Sequence, residues 1–426
     1  MGRQKESPMA SPEEVGLLNS RFGRITQVMQ KYINRGDIPG SVVLVVRKGK
    51  VVYHESLGFM DIASRKPMVK DCIFRMYSMT KPVTAVAVLR LYEEGNLMLD
   101  DPVSKYIPAF ANPRVIAAQP PQGQARYSPP WNVYTEPARR EITIRDLLTH
   151  TAGLASPRLT PIAFAGDLSD AIKGSLFLPH EDGTASPRIS IRETVEKLAR
   201  IPLSFQPGTG WQYGHEYDGL GVIVEIISGM SLEKFFQKNI FAPLQMKDTS
   251  FLLPREKIDR LVTAYTWDES WKLKIYDHLR ESIKVVGPKD IFSGLGDYGG
   301  IVSTVPDYLR FAQMLLNRGE LDGTRLLSPR TVDLMASNHT GDLFIYVRGY
   351  GWSYGFSLGI RTDTTESISI CTAGTYGWGG AACTQFFIDP AEELIALAFT
   401  QVFGSGLKPG FRLEQDFEKA VYQALT

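Results

Sequence analysis

Cysteine is scarce in this chain: Cys72, Cys371 and Cys383 are the only three in 426 residues. An odd, low count argues against a disulfide framework and fits a reducing compartment. No CxxC pair or Cys/His cluster occurs, and the six histidines are scattered without an HExxH, so no metal site is expected. Long apolar runs are also missing. Nowhere do about 18 uncharged apolar residues follow one another, so no membrane span is expected. The N-terminus, Met1 to Pro8, lacks the apolar stretch of a signal peptide, which makes the cytoplasm the expected location. Neither sign of charge is in excess. Lys and Arg total 47 against 46 Asp and Glu, a net +1. A nucleic-acid partner would call for a basic surplus that is absent.

What is present is the composition of a folded protein, 43% hydrophobic and 22% charged. A chain this long suggests two structural units. Residues 12–36 read as an amphipathic helix ended by Pro39-Gly40. Ser41 to Val46 and Val51 to Glu55 form a hairpin. Residues 82–94 read as a mostly buried helix ending at Gly95. In residues 111–140, Pro113, Pro120, Pro121, Pro129, Pro130 and Pro137 break any regular element. With Tyr127, Trp131 and Tyr134, this stretch reads as a binding loop, a lid or a surface loop pinned by its aromatics. Helices are expected at 142–150, 217–242, 305–318, 328–337 and 411–424, and strands at 352–360, 366–372, 381–388 and 393–400. Strands thus lie at both ends of the chain with helices between. The expected fold is α+β: one antiparallel sheet built from both ends, flanked by terminal helices, with a helical unit inserted. The sheet domain would comprise 1–80 and 290–426 and the helical domain 81–289, with the active site between them.

The chemistry centres on Ser78-Met79-Thr80-Lys81. A serine hydroxyl is a poor nucleophile until a base lies within hydrogen-bond reach. A lysine three residues on shares its helix face. It serves as base when burial among apolar groups lowers its proton affinity, and Phe74, Met76, Tyr77, Val83, Ala85 and Val86 supply such surroundings. A helix starting near Ser78 would aim backbone N–H groups at the reacting carbonyl, and Pro82 suits its first turn. Alone, Ser-x-x-Lys is a weak signal. A rival motif, Gly351-Trp352-Ser353-Tyr354-Gly355, fits Gly-x-Ser-x-Gly. It runs on into a strand, whereas a nucleophile elbow joins strand to helix. Cys72 reads as a buried small hydrophobe.

The stretch Phe74-Arg75-Met76-Tyr77-Ser78-Met79-Thr80-Lys81-Pro82 resembles the nucleophile segment of the serine β-lactamase and penicillin-binding-protein superfamily. Within it, the class C branch and the family VIII carboxylesterases are most similar. Further landmarks follow in order: Leu147-Leu148-Thr149-His150-Thr151-Ala152-Gly153-Leu154, Phe205-Gln206-Pro207-Gly208, Trp211-Gln212-Tyr213-Gly214-His215, Pro243-Leu244-Gln245-Met246 with Asp248-Thr249, Gly299-Gly300-Ile301-Val302-Ser303-Thr304, and Trp378-Gly379-Gly380. They span roughly residues 15–424. The resemblance implies a β-lactamase/transpeptidase-like fold and places Tyr213 at the Tyr-x-Asn motif, sharing the Ser78 proton with Lys81. His215 stands where that motif has asparagine, as a substrate ligand or a structural side chain. Trp378-Gly379-Gly380 stands where β-lactamases carry Lys-Thr-Gly. Tryptophan offers one N–H donor and no charge, so the cation that attracts a β-lactam carboxylate is missing at this motif. The family's esterases show the tryptophan version. Backbone N–H groups of Ser78 and Ala381 would form the oxyanion hole. Ser-Asp-Asn is absent from its expected place, against a class A β-lactamase.

The expected function is a serine carboxylesterase that hydrolyses small or short-chain esters through an acyl-enzyme on Ser78, with no metal or organic cofactor. Trp378, Gly379, Gly380, Trp352, His215 and Tyr127 are expected at the substrate. The alternatives are a class C-like β-lactamase or D-amino-acid peptidase, an acyltransferase of the same superfamily, and a non-catalytic penicillin-recognising binding protein. Oligomeric state is not legible.

Overall fold

The structure is a computed structural model that describes residues 8–119, 132–156, 190–276, 300–362 and 369–426 except 405 and 407, plus 167, 177–179, 185–187 and 367. Among them, eight strands form one antiparallel sheet. Three come from the N-terminal end: β1 (Gly40–Arg47), β2 (Lys50–Asp61) and β3 (Lys66–Pro67). Five come from the C-terminal end: β4 (Trp352–Tyr354), β5 (Gly359–Arg361), β6 (Tyr376–Gly379), β7 (Thr384–Asp389) and β8 (Leu394–Phe399). The spatial order is β4-β5-β6-β7-β8-β1-β2-β3. The chain's two ends therefore meet at the β8–β1 pair, where Val42 faces Phe399 and Arg47 faces Leu394.

Strand periodicity explains the layers. Side chains alternate between sheet faces along β1 and β8. Val42, Leu44, Val46, Ile395, Leu397 and Phe399 join one buried cluster, and Val43, Val45, Leu394, Ala396 and Ala398 join another. Helices α1 (Asn19–Asn34) and α9 (Leu413–Tyr422) cover the second face together. The first face carries α7 (Val305–Leu316) and continues into the helical part: α2 (Thr80–Glu93), α3 (Ile144–Thr149), α4 (Ile191–Leu198), α5 (Glu216–Ser228) and α6 (Leu232–Phe236). Helix α8 (Pro329–Met335) follows α7. The α+β sheet-and-helix architecture expected from the sequence is the one observed; the expected domain limit at 289–290 lies outside the described residues.

Several boundaries differ from expectation, each for a local reason. The first helix starts at Asn19, because Gly16 turns left-handed at φ 78° after a short 3-10 turn. The 217–242 segment breaks at Gly229, φ 66°, and Ser231 caps a second helix by accepting from Lys234 N. Residues 352–360 are two short strands, β4 and β5, folded at a turn with Ser357 at φ 68°. Residues 367 and 369–372 are irregular, and the strand lies at Tyr376–Gly379 instead, zipped to β7. The proline-rich stretch is not wholly irregular: Arg114–Gln119 pairs with Asn132–Pro137 in a hairpin. Pro113 and Pro137 bound the arms rather than interrupt them, as proline's missing donor requires.

Candidate active site

Ser78 sits on a 3-10 turn, Tyr77–Met79, and α2 begins just after it at Thr80. A helix start near Ser78 was the expectation, and this is where the helical turns begin. Tyr77, which opens the 3-10 turn, takes φ 47°. A left-handed non-glycine residue costs about 1–2 kcal/mol and persists only where its surroundings hold it. Here Met76 N donates to Ile301 O at 2.9 Å, Ile301 N to Thr80 Oγ1 at 3.1 Å and Tyr308 Oη to Met79 O at 2.8 Å. Lys81 is fully buried, and its Nζ donates to Ser78 Oγ at 3.2 Å.

Tyr213 approaches from the segment before α5. Lys81 Nζ lies 4.9 Å from the centroid of its ring, within cation–π range. Its backbone N donates to Tyr346 Oη at 3.2 Å. Around it stand His150 at 4.6 Å, Trp378 at 5.6 Å and Trp211 at 6.1 Å between ring centroids. Trp378 Nε1 donates to Tyr213 Oη at 3.2 Å. The Leu147–Leu154 and Trp211–His215 motifs are laced together: Gln212 N donates to His150 O, Gln212 Nε2 to Leu154 O and Tyr217 Oη to Leu148 O.

His150, at φ 57° in the cap of α3, puts Nδ1 2.6 Å from Glu216 Oε2, both side chains fully buried. Burial holds the imidazole's proton affinity below its ordinary value; Glu216 opposes this and the Lys81 charge adds to it. At neutral pH the ring is therefore neutral, with Nδ1–H donating to the carboxylate. Gly214 leaves room for that carboxylate, since a Cβ there would lie 3.1 Å from Glu216 Oε2.

The third side is the end of β6. Trp378 is buried and Gly379 and Gly380 half-buried. Gly380 lies so close to the nucleophile turn that a Cβ would sit 2.5 Å from Met76 O and 2.3 Å from Thr384 Oγ1. Only glycine fits there without displacing the strand end. Gly380 N donates to Thr384 O at 2.7 Å, and Cys383 N to Gly380 O at 3.0 Å, which curls the chain through exposed Ala381.

Residues 25–419 match the family described as beta-lactamase. The chain belongs to the beta-lactamase family. Within it, Rv1367c of Mycobacterium tuberculosis is 34% identical over 88% of each chain. Esterase EstB of Burkholderia gladioli is 29% identical over 91% of this chain and 92% of its own. Among solved structures, the beta-lactamase-family chain is similar to EstCE1, a hydrolase with promiscuous acyltransferase activity. The TM-score is 0.75 with 26% identity, covering 95% of this chain and 98% of that one.

Thus Ser78, Lys81, Tyr213 and Trp378 converge, with Gly379, Gly380 and Ala381 beside them. His215 has its Nδ1 2.9 Å from Asp218 Oδ2 at the start of α5. Trp352 joins the site's wall indirectly. The Arg348 guanidinium lies 4.9 Å from the Trp378 ring and 5.3 Å from the Trp352 ring, and pairs with Glu414. A cation is therefore beside Trp378 after all, supplied from another part of the chain. Tyr127 and Trp131 lie outside the described residues. Ser353 is buried in β4 opposite Ile360, in a strand hairpin and not a strand–helix elbow. Sequence reading missed Glu216, Arg348, Tyr346 and the placement of His150 at the tyrosine. No group of three or more His, Cys, Asp or Glu able to hold a metal occurs among the described residues.

Proposed function

We propose that this protein is a serine carboxylesterase that cleaves small, short-chain esters through an acyl-enzyme on Ser78. One observation carries the reading: a buried lysine within hydrogen-bond distance of a serine, beside a tyrosine whose oxygen accepts from Trp378. Ser78 Oγ attacks the ester carbonyl carbon while Lys81 and Tyr213 take its proton. The carbonyl oxygen becomes an oxyanion, received by the N–H groups of Ser78 and Ala381. The C–O bond to the alcohol then breaks, and Tyr213 returns a proton to the leaving oxygen. Water attacks the acyl-enzyme by the same route in reverse, releasing the acid and restoring Ser78. Trp378 Nε1 stabilises charge that builds on the phenol oxygen during transfer.

Esters are favoured over β-lactams because tryptophan occupies the position of the motif lysine, and the nearby Arg348 is already paired with Glu414. The relatives' names, esterase EstB and the hydrolase EstCE1, point the same way. Acyl transfer to an alcohol is the second reading, favoured by the acyltransferase activity in the EstCE1 description. The test is hydrolysis of short-chain nitrophenyl esters by wild type, Ser78→Ala and Ser353→Ala, with mass spectrometry of the acylated protein. Loss in Ser78→Ala alone, and an acyl mass on the peptide containing Ser78, is expected. Undiminished turnover in Ser78→Ala would falsify the assignment. A chromogenic cephalosporin ranks the β-lactam alternative, and ester products formed with added alcohol detect transfer.

A further inference from the structure

The mechanism above leaves one buried ionisable pair unused. His150 and Glu216 are fully buried, yet each keeps a polar atom, Nε2 and Oε1, without a hydrogen-bond partner among the described residues. Buried polar groups are normally satisfied, so an incomplete pair needs a reason. Two such groups are retained beside one ring. The His150 ring packs 4.6 Å from Tyr213, between Tyr213 and the Glu216 carboxylate it contacts. Glu216 is also the first residue of α5, where the helix N-terminus favours a carboxylate.

We propose that His150 and Glu216 form a positioning pair for Tyr213: the imidazole fixes the phenol ring against Lys81 and Trp378, and the Glu216 charge sets how tightly the Lys81–Tyr213 pair holds its shared proton. The proposal rests on the acyl-enzyme reading and adds two residues to it. His150 Nε2 is buried and makes no hydrogen bond to Ser78 or Tyr213, so in this geometry the imidazole is not placed to take the Ser78 proton itself. It acts through Tyr213. The lowered proton affinity of His150 is consistent with a neutral ring that transmits orientation.

Other groups around the phenol are Lys81 on α2, Tyr217 on α5 and Tyr354 on β4, with Arg348 beyond Trp378 and His215 paired to Asp218. Tyr217 and Tyr354 are held far above their ordinary range by burial. They stay neutral, so Glu216 is the acidic group that faces Lys81 through His150, the two acting on the imidazole in opposite directions.

The experiment uses the intact protein and nitrophenyl acetate. Glu216→Gln keeps shape and removes the charge. It is expected to move the acid limb of kcat/KM to lower pH by about one unit, because a positive site loses the charge that favoured its protonation. His150→Asn is expected to lower kcat about 10- to 100-fold with KM within about threefold, the size of effect that misplacing a reacting group produces. In a Tyr213→Phe background, His150→Asn is expected to cost nothing further. An unmoved pH limb in Glu216→Gln, or a His150→Asn loss that multiplies with Tyr213→Phe, overturns the proposal. If His150→Asn melts below the assay temperature, the limb in Glu216→Gln decides alone. Ser78→Ala in the same assay separates the two levels. Activity surviving there ends the acyl-enzyme reading, whereas activity lost there but indifferent to Glu216→Gln ends only this one.

Discussion

Trp378 Nε1 donates to Tyr213 Oη across 3.2 Å, joining the end of a C-terminal strand to a residue 165 positions earlier. The donor at this end of β6 is a neutral indole. The bond is directional, and the indole brings no charge of its own.

Trp378→Phe keeps the aromatic wall and removes the donor. We expect kcat on a short-chain ester to fall about tenfold to a thousandfold, in the range for losing one hydrogen bond to developing charge, with KM little changed. Steady-state kinetics decide it, and a change confined to KM would assign Trp378 to binding alone.

Gly380→Ala introduces a Cβ at 2.5 Å from Met76 O. The backbone oxygen cannot swing away, so the β6 end must separate from the Ser78 turn. We expect a stability loss of about 1–3 kcal/mol from overpacking and a larger fractional loss of kcat/KM than melting alone explains. Denaturant unfolding and kinetics on the same preparation test the two parts. Full activity in Gly380→Ala would mean that strand and turn need not touch.

The pH dependence of stability is expected to carry a mark from His54 on β2. Burial pushes its proton affinity down to about 4, with Lys70 adding to the effect, from an ordinary 6.5. The unfolded chain therefore binds more protons than the folded one between those values, and stability falls as pH drops from about 6.5 to about 4. His54→Gln removes that slope. Urea midpoints at pH 7, 5.5 and 4.5 measure it, and identical slopes in both proteins would remove His54 from the account.

Thiol chemistry should be slow at Cys371. Burial, with Glu418 adding, pushes its thiol up to about 11, so thiolate is rare at neutral pH. We expect native protein to resist alkylation there until denaturant is added. Peptide mass mapping of iodoacetamide-treated samples reads this out, and rapid labelling of Cys371 would contradict it.

The sequence was informative where chemistry or periodicity is local. Ser78 and Lys81 stand out by their spacing once the ordered landmarks accompany it, and Val42 to Val46 read as a strand from their unbroken run of β-formers. Contacts made only by folding were hidden. His150 and Glu216 are 66 positions apart, and no spacing rule couples them. Arg348 reaches Trp378 from a loop with no motif of its own. Strand β6 holds two glycines, Gly377 and Gly379, and its strand character comes from pairing with Phe386 and Phe387. By local propensity the segment at 366–372 looked better, and the sheet overrode it. The 114–137 hairpin was obscured because its prolines weigh on composition while lying outside or at the limits of the two arms.

The meeting of the chain's ends has a kinetic consequence. Thr384 Oγ1 reaches Met76 O across 308 positions, and β1 pairs with β8. A nascent chain that has already made Ser78, Lys81 and Tyr213 still lacks the strand that closes the site. During synthesis β1 exposes an apolar edge until the last strands emerge. Until the final fifth of the chain is in place, the sheet behind Ser78 is incomplete and the edge of β1 has no partner strand from the C-terminal end.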